Sequence, residues 1–292
     1  MNYADLALSF NCQQATLYGV LSMPQQALPT GVLFIVGGPQ YRAGSHRQFT
    51  LLARQLATAG VPVMRFDYRG MGDSEGEQRD FTQIDDDIRA ALDAFFRHAP
   101  GIQEVVLWGL CDAASAALAY AHQDARVSGL VLLNPWVRTG QGMAKTYLKH
   151  YYLQRLRDPD LWKKISRAQF NPLRAMQSLL QQLTTVILGE KNPTDTADAG
   201  GTGSTYGHAT SLPEKMRQDL SRFSGNTLFI LCGNDLTAQE FSGLAAASPQ
   251  WRALMKSPSV TRRDLEGANH TFSQRNWREQ IGSWTLEWLQ RR

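Results

Sequence analysis

Cysteine is scarce in this sequence: Cys12, Cys111 and Cys232 are the only three in 292 residues. Three widely spaced cysteines form no disulfide framework, and no C-x-x-C pair offers a zinc site. Long apolar runs are missing as well. Residues 31–38 and 130–133 are the longest candidates, well short of the roughly 20 residues that cross a bilayer. The opening residues Met1-Asn2-Tyr3-Ala4-Asp5 carry neither a basic segment nor an apolar one, which predicts no signal peptide. Charge of one sign is weak too: 30 Lys and Arg against 26 Asp and Glu leave +4. That excess is too small and too dispersed to mark a nucleic-acid partner. No internal repeat is apparent, and nothing points to a metal or an organic cofactor. These absences together predict a cytoplasmic protein in which a free thiol stays reduced.

What is present is an alternation of strand and helix patterns. Residues 6–23 alternate weakly and predict an antiparallel hairpin. Residues 31–36 (Gly-Val-Leu-Phe-Ile-Val) form an apolar run stopped by Gly37-Gly38-Pro39, the pattern of a strand buried on both faces. A helix is predicted over 46–59, with Phe49, Leu52, Ala53 and Leu56 on one face. A strand follows over 61–66. Residues 81–98 place Ile84, Ile88, Leu92 and Phe95 at helical spacing, with Thr82 as a candidate cap and Asp85-Asp86-Asp87 at the positive end of the dipole. Strand 105–108, helix 113–122 and strand 130–133 continue the alternation. It breaks over 138–223 and resumes with strands at 227–231 and 260–265 and a helix at 272–289. This order predicts an α/β fold, a mostly parallel sheet with helices on both faces. A ligand site is expected at the carboxyl ends of the strands.

The sharpest local feature is Val105-Val106-Leu107-Trp108-Gly109-Leu110-Cys111-Asp112-Ala113-Ala114-Ser115. It reads as strand, tight turn and helix, the context in which a nucleophile is held above a sheet on a strained turn. Small residues must flank it so that strand and helix can approach. Gly109 and Ala113 meet that need, with alanine where glycine is more usual. The helix that starts at Asp112 aims its amides at the sulfur, which favours a thiolate. A lone cysteine is usually a small core hydrophobe, and Cys12 and Cys232 are read that way. The turn context sets Cys111 apart.

The stretch Phe66-Asp67-Tyr68-Arg69-Gly70-Met71-Gly72-Asp73-Ser74-Glu75-Gly76 and the elbow around Cys111 resemble the α/β-hydrolase superfamily over nearly the full chain. Gly37-Gly38-Pro39 resembles that family's oxyanion loop, although Val36 stands where many members have histidine. The elbow Gly109-Leu110-Cys111-Asp112-Ala113 and residues 37–49 are similar to a narrower group, the exosortase-A-system-associated hydrolases of type 1, which accompany exopolysaccharide production. The superfamily resemblance implies an eight-stranded, mostly parallel sheet. It also implies a core of residues 1–137 and 224–292 and a helical cap inserted over 138–223.

The superfamily order of nucleophile, acid and histidine falls on Cys111, Asp235 and His270. Asp235 and His270 each lie just past a predicted strand end. Cys111 is expected to attack an acyl carbon, His270 to move the proton, and Asp235 to fix the imidazole tautomer. Loop aspartates often only satisfy a turn, and Glu240 is the alternative acid. The N–H of Asp112 is expected to hold the oxyanion together with that of Gly38, with Gln40 as the fallback because Pro39 has no N–H. Asp67 and Arg69 are expected to organise their turn rather than touch substrate. Gly70, Gly72 and Gly76 are not followed by Gly-Lys-Ser/Thr, so they form no P-loop.

Within the expected cap, Tyr147, Tyr151, Tyr152 and Trp162 mix with Lys149, Arg155 and Arg157. A helix docked on the body with a solvated basic face is the favoured reading. Contact with an anionic or lipid-linked substrate, or with a membrane surface, is the sharper one. The partner expected is a small acyl substrate, lipid- or sugar-linked in the narrower resemblance. The function read from these residues is an acyl hydrolase, an esterase or thioesterase. Acyl transfer on the same triad and a retired binding protein are the alternatives, and the oligomeric state is left open.

Overall fold

The computed structural model describes residues 2–38, 40–137 and 211–292, and the strand patterns gather there into one eight-stranded sheet. The strands are β1 (Tyr3–Cys12), β2 (Ala15–Pro24), β3 (Thr30–Ile35), β4 (Val63–Asp67), β5 (Glu104–Leu110), β6 (Val127–Leu133), β7 (Asn226–Asn234) and β8 (Val260–Asn269). Their order in the sheet is β1-β2-β4-β3-β5-β6-β7-β8. The first two join through Gln13-Gln14, with Cys12 opposite Ala15, as the expected hairpin. β2 also runs antiparallel to β4, and every later pairing is parallel.

Side-chain alternation divides the core into two layers. Val32, Phe34, Val106, Trp108, Val131, Leu228 and Ile230 face one side. There they meet α1 (Gln48–Thr58) through Phe49, Leu52 and Leu56. Leu33, Ile35, Leu107, Leu130, Leu132 and Phe229 face the other. That layer is closed by α2 (Asp85–His98) and α3 (Asp112–Ala121), through Ile88, Leu92, Phe95 and Leu118. Because both faces are covered, the central strands read as unbroken apolar runs rather than alternating ones. Each large apolar side chain so buried contributes about 1.5–3 kcal/mol. Trp108 stacks on Phe34 at 4.8 Å and meets Phe49 edge-on at 5.6 Å, so β3, β5 and α1 are fixed together just below the elbow.

Helix α4 (Leu212–Arg222) lies inside the segment expected to be a cap. It is a helix of the body: Met216 and Leu220 are buried in the layer that holds α3, and residues 211–292 fall in the same compact unit as the first 138. The remainder of the expected cap, 138–210, lies outside the described residues, as does its aromatic and basic stretch. Helices α5 (Leu236–Ala247) and α6 (Pro249–Met255) follow β7, and α7 (Arg275–Arg291) follows β8. Tight aromatic contacts, Phe241 on Phe229 at 5.3 Å and on Trp251 at 5.4 Å, hold α5 and α6 to the sheet.

One expected cap is corrected. Thr82 does not cap α2; Asp80 accepts the Thr82 N–H at 2.9 Å and opens a short 3-10 turn ahead of the helix. The acidic run Asp85-Asp86-Asp87 does fill the first turn of α2. Asp87 has a second task, a buried fork to the Arg69 guanidinium at 2.7–3.1 Å.

Candidate active site

Cys111 sits between the last residue of β5 and the first of α3, at φ 63 and ψ −125. A non-glycine residue at positive φ costs on the order of 1–3 kcal/mol and persists only where its surroundings over-determine it. Here they do. The Cys111 N–H donates to the Leu133 carbonyl at 2.9 Å, and its own carbonyl accepts from Ala114 at 3.1 Å and Trp136 at 3.2 Å. Gly109 is needed, because a Cβ there would lie 2.5 Å from the Ala113 carbonyl oxygen. Alanine at 113 is tolerated because Gly37 faces it: a Cβ on Gly37 would stand 3.0 Å from that of Ala113.

Strand register brings the other two members together. β7 and β8 shift register near their ends so that Asn234 pairs with Asn269. Asp235 and His270, the next residue on each strand, therefore leave the sheet side by side. His270 Nδ1 lies 2.8 Å from Asp235 Oδ2. The second carboxylate oxygen, Oδ1, accepts the Thr237 N–H at 2.9 Å and caps α5. The aspartate thus orients the imidazole and satisfies a helix start at once. The Asp235 side chain is 4% exposed and the His270 side chain 35%. With Nδ1 committed to Asp235, Nε2 is left for the sulfur. The bond to Asp235, and after it the hydrogen bond with Cys111, raise the His270 pKa to about 10 against the opposing effect of burial. An imidazolium facing a sulfur is the arrangement that makes a cysteine nucleophilic at neutral pH.

The other two cysteines are buried. Burial raises the Cys12 thiol and lifts Cys232 to about 12.

Of the expected oxyanion donors, Gly38 already has a partner. Gly38 stands at φ 58 beside the elbow, and its N–H already donates to Asp112 Oδ2 at 2.8 Å. Ala113 donates to Asp112 Oδ1 at 2.9 Å. Burial raises the Asp112 carboxyl, against these amide bonds that lower it. For Gln40, the side-chain Oε1 is buried without a partner among the described residues. Val36 is a core side chain.

Sequence reasoning missed the support beneath this loop. Asp67, fully buried at the end of β4, accepts the Arg42 N–H at 2.7 Å and the Arg42 guanidinium. It also takes the Asp73 N–H at 3.2 Å, while Arg42 reaches Asp73 at 2.8 Å. One carboxylate therefore ties the loop after β3 to the glycine-rich turn after β4. Burial raises its pKa despite Arg42. Arg69 in turn donates to the Asp87 carboxylate and to Gln13 Oε1. Arg42 could have been suspected as the one basic residue of the Gly-Gly-Pro-Gln-Tyr-Arg loop. Side-chain occupation of the Gly38 N–H by Asp112 has a fainter signal, an acid directly after Cys111 with two glycines opposite.

Residues 32–281 match the Alpha/beta hydrolase family. The quorum-quenching protein AidA of Acinetobacter baumannii is 28% identical over 139 residues, 46% of this chain and 44% of that protein, so the match spans less than half of that relative. An esterase of Pyrococcus furiosus superposes with a TM-score of 0.64 at 13% identity, covering 99% of this chain and 91% of that one. A dienelactone hydrolase of Anabaena variabilis does so with a TM-score of 0.61 at 16% identity, covering 100% and 99%. At such identities the structural likeness shows a shared fold.

Proposed function

The chain belongs to the alpha/beta hydrolase family, and on that footing we propose that it is an acyl hydrolase with a Cys111–His270–Asp235 triad, acting on an ester or thioester. The observation that carries this reading is a cysteine held at positive φ on the elbow, in hydrogen-bond contact with a histidine that is itself held by a buried aspartate.

The chemistry follows from the order of contacts. With the proton already on His270, the sulfur adds to the acyl carbon as a thiolate. The carbonyl electron pair moves to oxygen, which the N–H groups of Asp112 and Gly38 would hold. The tetrahedral adduct collapses, the C–O or C–S bond of the leaving group breaks, and His270 returns the proton to it. An acyl-cysteine remains. Water then attacks this thioester while His270 takes a proton, and the sulfur leaves to regenerate the resting pair. Asp235 keeps Nδ1 protonated throughout, so that Nε2 is always the exchanging atom.

A thioester passes its acyl group to alcohols as well as to water, so transfer is the second reading of the same triad. Resemblance of the elbow and of residues 37–49 to hydrolases that accompany exopolysaccharide production extends the proposal to substrate. An acyl substituent on a sugar or lipid-carrier precursor fits, in a reducing compartment where the thiol survives.

Intact-mass measurement after brief incubation with a p-nitrophenyl ester, and separately with an acyl thioester, tests the reading. Wild type should gain one acyl group and Cys111→Ala none. Adduct decay accelerated by alcohols would favour transfer over hydrolysis. A folded wild type with no adduct and no released p-nitrophenol from either substrate would remove the proposal.

A further inference from the structure

Asp112 follows the nucleophile directly, yet the proposed chemistry uses only its backbone N–H. Its side chain lies where that chemistry needs room. One carboxylate oxygen takes the Gly38 N–H at 2.8 Å and the other takes the Ala113 N–H at 2.9 Å. Donors from two separate segments, the loop after β3 and the first turn of α3, therefore converge on one anion. The Asp112 N–H is a further contact to the same carboxylate. Two of these three donors, Gly38 and Asp112, are the ones the oxyanion of a tetrahedral adduct on Cys111 would use.

The loop is shaped around this carboxylate. A Cβ on Gly37 would stand 2.0 Å from Asp112 Oδ1, so any other residue at 37 would expel the side chain. The neighbouring charge felt by Asp112 is that of Asp80, also negative, and amide N–H groups balance it. An anion held this way is an internal counterpart of the oxyanion, with the same charge and the same donors. Two anions cannot share the cradle, because each N–H has one hydrogen to give and their charges repel.

We propose that the Asp112 carboxylate fills the oxyanion cradle of the resting protein, and that the carbonyl oxygen of the substrate must displace it before Cys111 is acylated. The proposal rests on the reading of Cys111 as an acyl acceptor. Asp112 is then a gate: it sets how readily any ester acylates the sulfur, without itself exchanging protons with the substrate. Catalytic power is held back until a bound acyl group competes for the N–H groups with good geometry. Weakly bound esters are penalised most, because they have least binding energy with which to drive the exchange.

Two rates separate this gate from a simple electrostatic effect on the sulfur. Acylation, read as the burst of p-nitrophenol from p-nitrophenyl acetate, needs both nucleophile and oxyanion donors. Alkylation by iodoacetamide needs the nucleophile alone. Both are measured on wild type, Asp112→Ala, Asp112→Asn and Cys111→Ala. The acylation-to-alkylation ratio should rise about tenfold or more in Asp112→Ala, the order of effect of an oxyanion-hole donor set free. It should rise less in Asp112→Asn, whose amide oxygen can still enter the cradle. If Asp112→Ala fails to fold, any rise in Asp112→Asn carries the test. An unchanged or lower ratio in the folded variants, with a burst that still depends on Cys111, overturns the gate and leaves the triad standing. No burst in wild type or either variant, while Cys111 alkylates normally, overturns the triad reading and the gate with it.

Discussion

The two sides of the elbow are prepared to different degrees. On the β7–β8 side, His270 and Asp235 are already joined at 2.8 Å and the imidazole meets the thiol. On the β3 side, the loop is equally well anchored, through Asp67 and Arg42, but its Gly38 donor is engaged by Asp112. Rigid support thus exists on both sides, and only one is free to act on a substrate. A site can be pre-organised and still closed, and geometry must be examined for occupancy as well as position.

Deleting the centre should affect both sides at once. Cys111→Ala is expected to abolish acyl-adduct formation and lower ester turnover by about 10⁴-fold or more, read by burst kinetics. Disabling only the β7–β8 side is the next largest effect. Asp235→Asn should lower kcat by about 10²- to 10⁴-fold through the wrong imidazole tautomer, with KM little changed. Undermining the support of the β3 side should appear first as stability. Asp67→Ala leaves Arg42 with Asp73 as its carboxylate partner and removes the bonds that tie the two loops; it is expected to cost about 1.5–3 kcal/mol in urea unfolding, with a smaller loss of acylation rate.

The finest test is of pH. His270 titrates at about 10 in the fold against 6.5 for an ordinary histidine, so its pairing with Asp235 favours the protonated form. The stabilisation is complete below pH 6.5 and is lost as pH rises through about 10. The melting-temperature gap between wild type and Asp235→Asn should therefore shrink across that window. A gap that widens with pH would contradict the imidazolium assignment.

Much of this was legible in the sequence for physical reasons. Buried parallel strands are continuous apolar runs, so β3, β5, β6 and β7 stood out, and breakers marked their ends. The elbow is legible because strand, small residue, Cys111 and helix are adjacent in sequence. Asp235 and His270 could be named from order and strand ends. Their contact depended on the shifted register that pairs Asn234 with Asn269, which no local pattern encodes. The helix of residues 212–222 was absorbed into the expected insertion because its burial is set by packing on α3. The side chain of Asp112 is silent in the sequence, because nothing in a one-dimensional pattern shows where a short carboxylate turns. The Arg42–Asp67 link joins residues 25 apart on different loops, so it too awaited the fold.

Asp235 uses one oxygen for the imidazole and the other for the start of α5. A descendant that lost its chemistry would still lose a helix cap, worth about 0.5–2 kcal/mol, if it discarded this aspartate. Selection for folding alone would retain it. Among relatives, an aspartate here is therefore poor testimony to living catalysis. Cys111 and His270 are the better witnesses, and decay of function should be looked for first at the residue whose strained backbone the fold would gladly replace with glycine.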